Sequence, residues 1–229
     1  MANYQIAIDG PAGAGKSTIA KLAAKDLGFV YVDTGAMYRA LALFFIREKI
    51  CAGDIERLKQ MLKNVEVTIR YEKSEQVVML NGENVNGLIR SEEVGKMASA
   101  TSPIAEVRKK LFSLQRKLAE ETSVIMDGRD IGTAVLPKAN LKIYLTADAD
   151  VRAKRRYKEL LARGMDCDFE KIKNEIIERD RQDMEREVSP LRQAEDAILL
   201  DTSELSIEQA KNEVVRLFKA AVEIVRREQ

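Results

Sequence analysis

Eight residues near the start of the chain, Gly10-Pro11-Ala12-Gly13-Ala14-Gly15-Lys16-Ser17, constrain the fold more than any other segment. A short apolar run at 5–8 leads into Asp9 ahead of them. Behind them, apolar residues recur at helical spacing over 16–27. Strand, glycine-rich turn and helix in that order, with Lys and Ser closing the turn, mark a phosphate-binding loop. Each residue type has a reason to be there. Glycine tolerates the left-handed backbone that turns successive N–H groups onto an anion. The helix that begins beside Gly15 aims its positive end at the same point. Lys16 has the reach for the outer phosphates, and the Ser17 hydroxyl is the type of oxygen that ligates Mg²⁺. Gly10, Ala12, Gly13, Ala14, Gly15, Lys16, Ser17 and Thr18 are the expected phosphate cradle. A chance glycine-rich turn has no need of a strand before it and a helix after it, so the flanks favour the loop.

The rest of the chain continues that beginning. A second apolar strand is expected at 29–32 and a helix at 36–48. This order predicts a parallel sheet covered by helices. Further parallel strands are expected at 124–126, 141–145 and 197–200. Between 64 and 87 the texture changes. Residues 65–70 alternate apolar and polar, 76–80 follow, and Asn81-Gly82 is a strong hairpin turn, so a small antiparallel insert is expected there. Helical texture returns over 91–121, broken near Ser102-Pro103, and again over 148–163, 169–187 and 206–227. The 229 residues fit one domain, 1–229, with the insert bounded at 63–95.

Composition removes several functions. Lys and Arg number 38 against 37 Asp and Glu, too even a balance for a general nucleic-acid or membrane-surface binder. The longest apolar run is too short to span a bilayer. The chain has no histidine, which excludes a Ser-His-Asp triad, a histidine base and a histidine-bearing zinc site. Cys51 and Cys167 form no CxxC pair, so two free thiols are expected. The first residues carry no signal pattern, and a cytoplasmic protein is expected.

Open parallel sheets bind ligands beyond the carboxyl ends of their strands. The second strand delivers Asp33-Thr34-Gly35-Ala36-Met37-Tyr38-Arg39 there, and the third delivers Asp127-Gly128-Arg129-Asp130. Asp127 closes Val124-Ile125-Met126, the place of an acid that holds Mg²⁺ directly or through water. The plainer alternative is an Asp that caps the next turn. Arg39 and Arg129 are cations beside a phosphate loop, where a second anion would be welcome. Arg152, Arg155 and Arg156 share a helix face ahead of the stop at Arg163-Gly164. A mobile lid over 152–167 is expected to carry these guanidinium groups to a transferring phosphoryl group; a solvated basic face is the alternative. Arg179, Asp183 and Arg186 also share a face, and spacing alone does not separate a site from surface pairing.

Read in order, the motifs resemble those of the bacterial cytidylate kinases, the (d)CMP kinase branch of the nucleoside monophosphate kinases. Residues 8–18, 33–39 and 127–133 (Asp-Gly-Arg-Asp-Ile-Gly-Thr) carry the resemblance, with Glu178-Arg179-Asp180 and Ser189-Pro190-Leu191 further on. The first motif is shared by many phosphate-loop proteins; the second and third together are far more specific. The resemblance implies an α/β fold of the P-loop NTPase type: a five-stranded parallel sheet covered by helices, a small antiparallel NMP-binding insert and a lid. It implies transfer of the γ-phosphoryl of ATP to CMP or dCMP with Mg²⁺, giving ADP and CDP or dCDP, in pyrimidine nucleotide metabolism. By position it places Ser99, Arg108 and Asp130 at the cytosine, and Arg39, Arg129 and Arg186 at the acceptor phosphate. It places Arg179 and Asp183 at the ribose, Thr34 near the nucleotide, and the adenine near Thr202-Ser203. Lys16, Arg129, Arg155 and Arg156 are the expected catalytic groups, and Ser17 and Asp127 the metal side. ATP, CMP and dCMP are the expected partners of a monomer, with no nucleic acid and no membrane. The rivals are another small-molecule P-loop kinase (for UMP, AMP or shikimate) and a non-enzymatic nucleotide switch.

The chemistry agrees independently. A phosphate acceptor is already anionic and needs no general base, so a histidine-free site suits it. The remaining work is positioning and neutralising charge, which lysine and arginines supply.

Overall fold

The computed structural model describes residues 3–73, 75–162 and 164–227. Strand β1 (Gln5–Asp9) runs into helix α1 (Lys16–Leu27), β2 (Val30–Asp33) and α2 (Thr34–Arg47). Helix α3 (Ile55–Met61) and a single 3₁₀ turn (Leu62–Asn64) lead to β3 (Val67–Glu72), β4 (Glu75–Leu80) and β5 (Glu83–Asn84). Then come α4 (Glu92–Thr101), α5 (Ala105–Glu121), β6 (Val124–Gly128), a π-helical turn (Ile131–Val135) and β7 (Leu141–Thr146). Helices α6 (Ala149–Ala162) and α7 (Phe169–Glu185), strand β8 (Ile198–Asp201) and helix α8 (Ile207–Arg227) complete the order.

The main sheet is five-stranded and parallel, in the order β2-β6-β1-β7-β8. Its central strands β1 and β6 are buried on both faces and read as continuous apolar runs, whereas the edge strand β8 is largely exposed. Successive side chains leave opposite faces. Ala7, Val32 and Met126 join the core beneath α2, α4 and α5. Ile6, Ile8, Ile125 and Ile143 join the core beneath α1 and α8. The second sheet, β3-β4-β5, is antiparallel. Its inner residues Val78 and Leu80 belong to the first of those two cores, so the insert is welded to the domain.

Several boundaries differ from the sequence reading. The helix expected at 36–48 begins at Thr34, because the Asp33 side chain accepts the Ala36 N–H at 2.9 Å and caps it earlier. Asn81 and Gly82 form the expected two-residue hairpin turn, at φ 48° and 83°, and it joins β4 to the two-residue β5. The short helix α3 breaks no pattern rule and was simply not anticipated; Asp54 caps it through the Arg57 N–H. The helical stretch 91–121 is two helices, and Pro103 stands in the break between them. Gln76 ties the insert to the sheet edge: its amide accepts from the Asp33 N–H at 2.8 Å and donates to the Asp33 carbonyl at 3.1 Å.

Candidate active site

All five parallel strands end on the same side, and one cleft of about 710 Å³ opens there. The phosphate loop forms one end. Gly10 is required where β1 enters it: at φ +151°, a Cβ would lie 1.9 Å from the Leu145 carbonyl oxygen. Gly10 and Ala14 are packed beneath the loop, whereas Ala12, Gly13, Gly15, Lys16, Ser17 and Thr18 line the cleft. The Ala12 N–H points away from it and donates to Asp180 at 3.2 Å.

Lys16 is buried and curls back to donate to the Pro11 carbonyl at 2.7 Å. Burial, reinforced by the nearby Arg129, lowers its pKa to about 7. Asp127 is the next-to-last residue of β6. One carboxylate oxygen accepts from Ser17 Oγ at 2.8 Å and the other from the Tyr31 hydroxyl at 2.9 Å. Burial first, then the neighbouring Asp33, raise the Asp127 pKa to about 6. Thr34 Oγ1 donates to the Asp127 carbonyl at 2.7 Å, so the start of α2 is stitched to the end of β6. Ser17 and Asp127 thus meet as the sequence predicted. Tyr31 was missed, since a tyrosine inside a strand reads as core.

The other end of the cleft is lined by the residues assigned to an acceptor: Thr34, Arg39, Ser99, Arg108, Arg129, Asp130, Arg179, Asp183 and Arg186. Arg108, on α5, is nearly fully buried, stacks over the Tyr38 and Phe112 rings, and forms an ion pair with Asp130. Its Nη1 also donates to the Ser102 carbonyl at 3.1 Å. Ser99 lies one turn away on the same rim, its carbonyl accepting from Ser102 Oγ. Arg39 donates to the Ile89 carbonyl at 3.0 Å and packs against Gly95, where a Cβ would crowd its guanidinium at 3.1 Å. Arg129 Nε donates to Asp183 at 2.8 Å. Burial lowers the Arg129 pKa, but Asp183, Asp127 and Asp180 together outweigh it and raise the pKa. Arg186 lies 3.9 Å from Asp130 and 3.7 Å from Asp183. Arg179 has its pKa lowered to about 10, by burial and then by Arg129. The helix face 179/183/186 is therefore a buried cluster and not surface pairing. Arg108 Nε, Arg179 Nε and Arg186 Nη2 have no hydrogen-bond partner although buried. Buried donors of this kind favour an anionic or polar ligand among them.

The three arginines of α6 part company. Arg155 leans over the loop end, its Nη2 donating to the Thr202 carbonyl at 2.7 Å. Arg156 is at the cleft rim and pairs with Glu159 at 3.0 Å. Arg152 is buried and pairs with Asp180, so it is not available to a transferring group as the shared face had suggested. Thr202 lines the cleft with Leu205 and Ile207, but Ser203 does not; its hydroxyl accepts from the Asp148 N–H. A further unforeseen residue is Asp9. Its two oxygens accept the N–H groups of Ile131 and Gly132, each at 2.7 Å, and hold the turn that follows Arg129-Asp130.

A parallel sheet with a glycine-rich loop on its central strand, a buried Lys beside it and an Asp-Ser pair facing them defines a P-loop nucleotide-binding fold. Solved structures share that fold. They include an uncharacterized protein from Eubacterium ventriosum (TM-score 0.54, 15% identity, 96% of this chain and 99% of that one). A gluconokinase from Sinorhizobium meliloti is another (TM-score 0.51, 12% identity, 99% and 97%). The family described as Cytidylate kinase matches residues 6–220. A cytidylate kinase of Caldicellulosiruptor saccharolyticus is 50% identical over 95% of this chain and 96% of its own length. One from a Geobacillus strain is 48% identical over 94% and 96%. The chain belongs to the cytidylate kinase family and is a phosphotransferase.

Proposed function

We propose that this protein transfers the γ-phosphoryl of ATP to CMP or dCMP, giving ADP and CDP or dCDP. One observation carries this reading. A phosphate loop and the Arg108–Asp130 pair face each other across a single cleft, with Arg39, Arg129 and Arg186 along it.

Asp130 and Arg108 are complementary to cytosine: a carboxylate accepts from the N4 amine, and a guanidinium donates to the ring acceptors. Arg39, Arg129 and Arg186 neutralise the acceptor phosphate and aim one of its oxygens along the cleft. Arg179 and Asp183 address the ribose, and Thr34 and Ser99 complete the acceptor wall. The amides of Gly13, Gly15, Lys16, Ser17 and Thr18 cradle the donor. Lys16 exchanges the Pro11 carbonyl for the outer phosphates, whose charge favours its protonated form. Arg155 and Arg156 approach the transferring group from the lid, 152–167, while the insert, 63–95, covers the acceptor. No side chain removes a proton, because the attacking oxygen is already anionic.

Ser17 and Asp127 fit Mg²⁺. They place two hard oxygens 2.8 Å apart at the loop, and Mg²⁺ takes one or two protein oxygens and completes its shell with phosphates and water. Among the described residues no group of three or more His, Cys, Asp or Glu forms a fuller metal site. When bound, the ion supplies charge neutralisation on the donor phosphates. Both cysteines are free, which suits a reducing compartment such as the cytoplasm. Among the described residues no helix is long and apolar enough to cross a membrane.

The test is ADP release from Mg-ATP with no acceptor, then with CMP, dCMP, UMP, AMP, GMP and shikimate. Release dependent on CMP or dCMP, with UMP far behind, is expected. Equal release without any acceptor would replace the kinase with a nucleotide switch.

A further inference from the structure

Two buried charges take no part in the reading above. Asp180 on α7 is 7% exposed and Arg152 on α6 is 6% exposed. A buried ion pair is weak as a source of stability, because desolvation offsets most of the attraction. Its partners say more. Asp180 accepts the Ala12 N–H at 3.2 Å with one oxygen and Arg152 Nη1 at 2.5 Å with the other. The same Arg152 nitrogen donates to the Ala12 carbonyl at 2.9 Å, and Arg152 Nε donates to the Ala147 carbonyl, beyond β7, at 2.8 Å. Both polar groups of one residue of the phosphate loop are therefore held by two helices outside it.

The consequence follows from peptide geometry. In a planar trans peptide, C=O and N–H point in opposite directions. The Pro11 carbonyl turns to Lys16, so the Ala12 N–H turns away, to Asp180. The Ala12 carbonyl turns away, to Arg152, so the Gly13 N–H turns back toward the cleft. The pair thus presets the donor that Gly13 offers a phosphate. On α7 the buried face carries both Asp180 and Asp183. Asp183 holds Arg129 at 2.8 Å, on the acceptor side. One rigid helix face grips the donor loop with one carboxylate and the acceptor clamp with the next.

We propose that the Arg152–Asp180 pair is a positioning device: it orients the phosphate loop and locks it to the acceptor helix, so that binding at either substrate site strengthens binding at the other. The coupling rests on the kinase reading; the loop orientation does not, since ATP binding needs no acceptor.

The experiment compares wild type with Arg152→Gln, Asp180→Asn and Arg152→Lys. Calorimetry gives the Kd of Mg-ATP alone, and the Kd of CMP with and without the β,γ-methylene analogue of ATP. In wild type the analogue should tighten CMP by about fivefold or more. In Arg152→Gln and Asp180→Asn the ATP Kd should rise about tenfold or more, and the CMP enhancement should vanish. Arg152→Lys keeps the ion pair and guards against loss of fold; it should recover part of both effects. An unchanged ATP Kd in the folded variants would overturn the loop orientation. Coupling equal to wild type would overturn the lock. If wild type binds ATP but neither binds nor phosphorylates CMP, the kinase reading falls, while the ATP arm still decides the loop.

Discussion

Asp127 illustrates how single residues carry this site. It is a buried carboxylate, satisfied by Ser17 on one oxygen and Tyr31 on the other. Its pKa, raised by burial to about 6, has a direction that can be followed through. A carboxyl raised on folding weakens the fold above about pH 6, and that cost fades as pH falls toward the ordinary carboxylate range. Under the proposed function the direction reverses, since an Asp127 that holds a metal must be ionised. The Mg²⁺ concentration for half-maximal turnover should climb as pH drops below about 6. The Tyr31 hydroxyl lowers the Asp127 pKa, so Tyr31→Phe should move that climb to higher pH. A flat Mg²⁺ requirement between neutral and acid pH would contradict this role for Asp127. Asp130 gives a second prediction. Uracil presents a carbonyl where cytosine has its amine, which sets acceptor against acceptor. Asp130→Asn should therefore shift the CMP/UMP ratio of kcat/KM toward UMP by about tenfold or more. Comparing both substrates on one preparation checks it, and an unchanged ratio would remove Asp130 as the base reader.

At the scale of elements, the site depends on how ends of strands and helices are tied together. Asp33 caps α2 and, through Gln76, receives the insert. Thr34 joins α2 to β6. Asp9, the last residue of β1, holds the π-helical turn that follows Arg129 and Asp130. Asp9→Asn would set an amide NH₂ against one of two N–H donors. Leaving that donor unpaired should cost about 1–3 kcal/mol of stability. Since the turn positions Arg129 and Asp130, the KM for CMP should rise more than the KM for ATP. Denaturant melts and paired KM measurements test both parts; a variant with wild-type stability and KM values would leave Asp9 without this role.

Across the whole molecule, the cleft draws on both halves of the fold. The loop and α1 stand on one face of the sheet, α2 and α5 on the other, and the α6–α7 pair closes the top with its own small core of Ala153, Ile172 and Ile176. A ligand that bridges these parts binds only the folded chain, so it should raise global stability. CMP at a hundred times its Kd should add about 2.7 kcal/mol. For a chain of this size that corresponds to a rise in Tm of roughly 5–11 °C. Thermal melts with CMP, and with UMP as the control, measure it. A CMP shift no larger than that of UMP would count against a cytosine-selective cleft.

The amino-acid sequence by itself determined the local parts: the loop at residues 10–17, the parallel strands, the Asp127 that ends an apolar run, and the arginines that recur at helical spacing. These are legible because periodicity, glycine and strand-end chemistry act over a few neighbouring residues. Only the tertiary structure decided what each arginine at the cleft is committed to. Arg152, Arg155 and Arg156 read alike in sequence, yet Arg152 is committed to Asp180 and Ala12, Arg155 to Thr202, and Arg156 to the exposed rim. Asp9, Tyr31 and Asp180 were illegible for the same reason. Ile131, Asp127 and Ala12, which they hold, lie about a hundred residues away or more, and a buried polar side chain takes its meaning from the partner that desolvation obliges it to find.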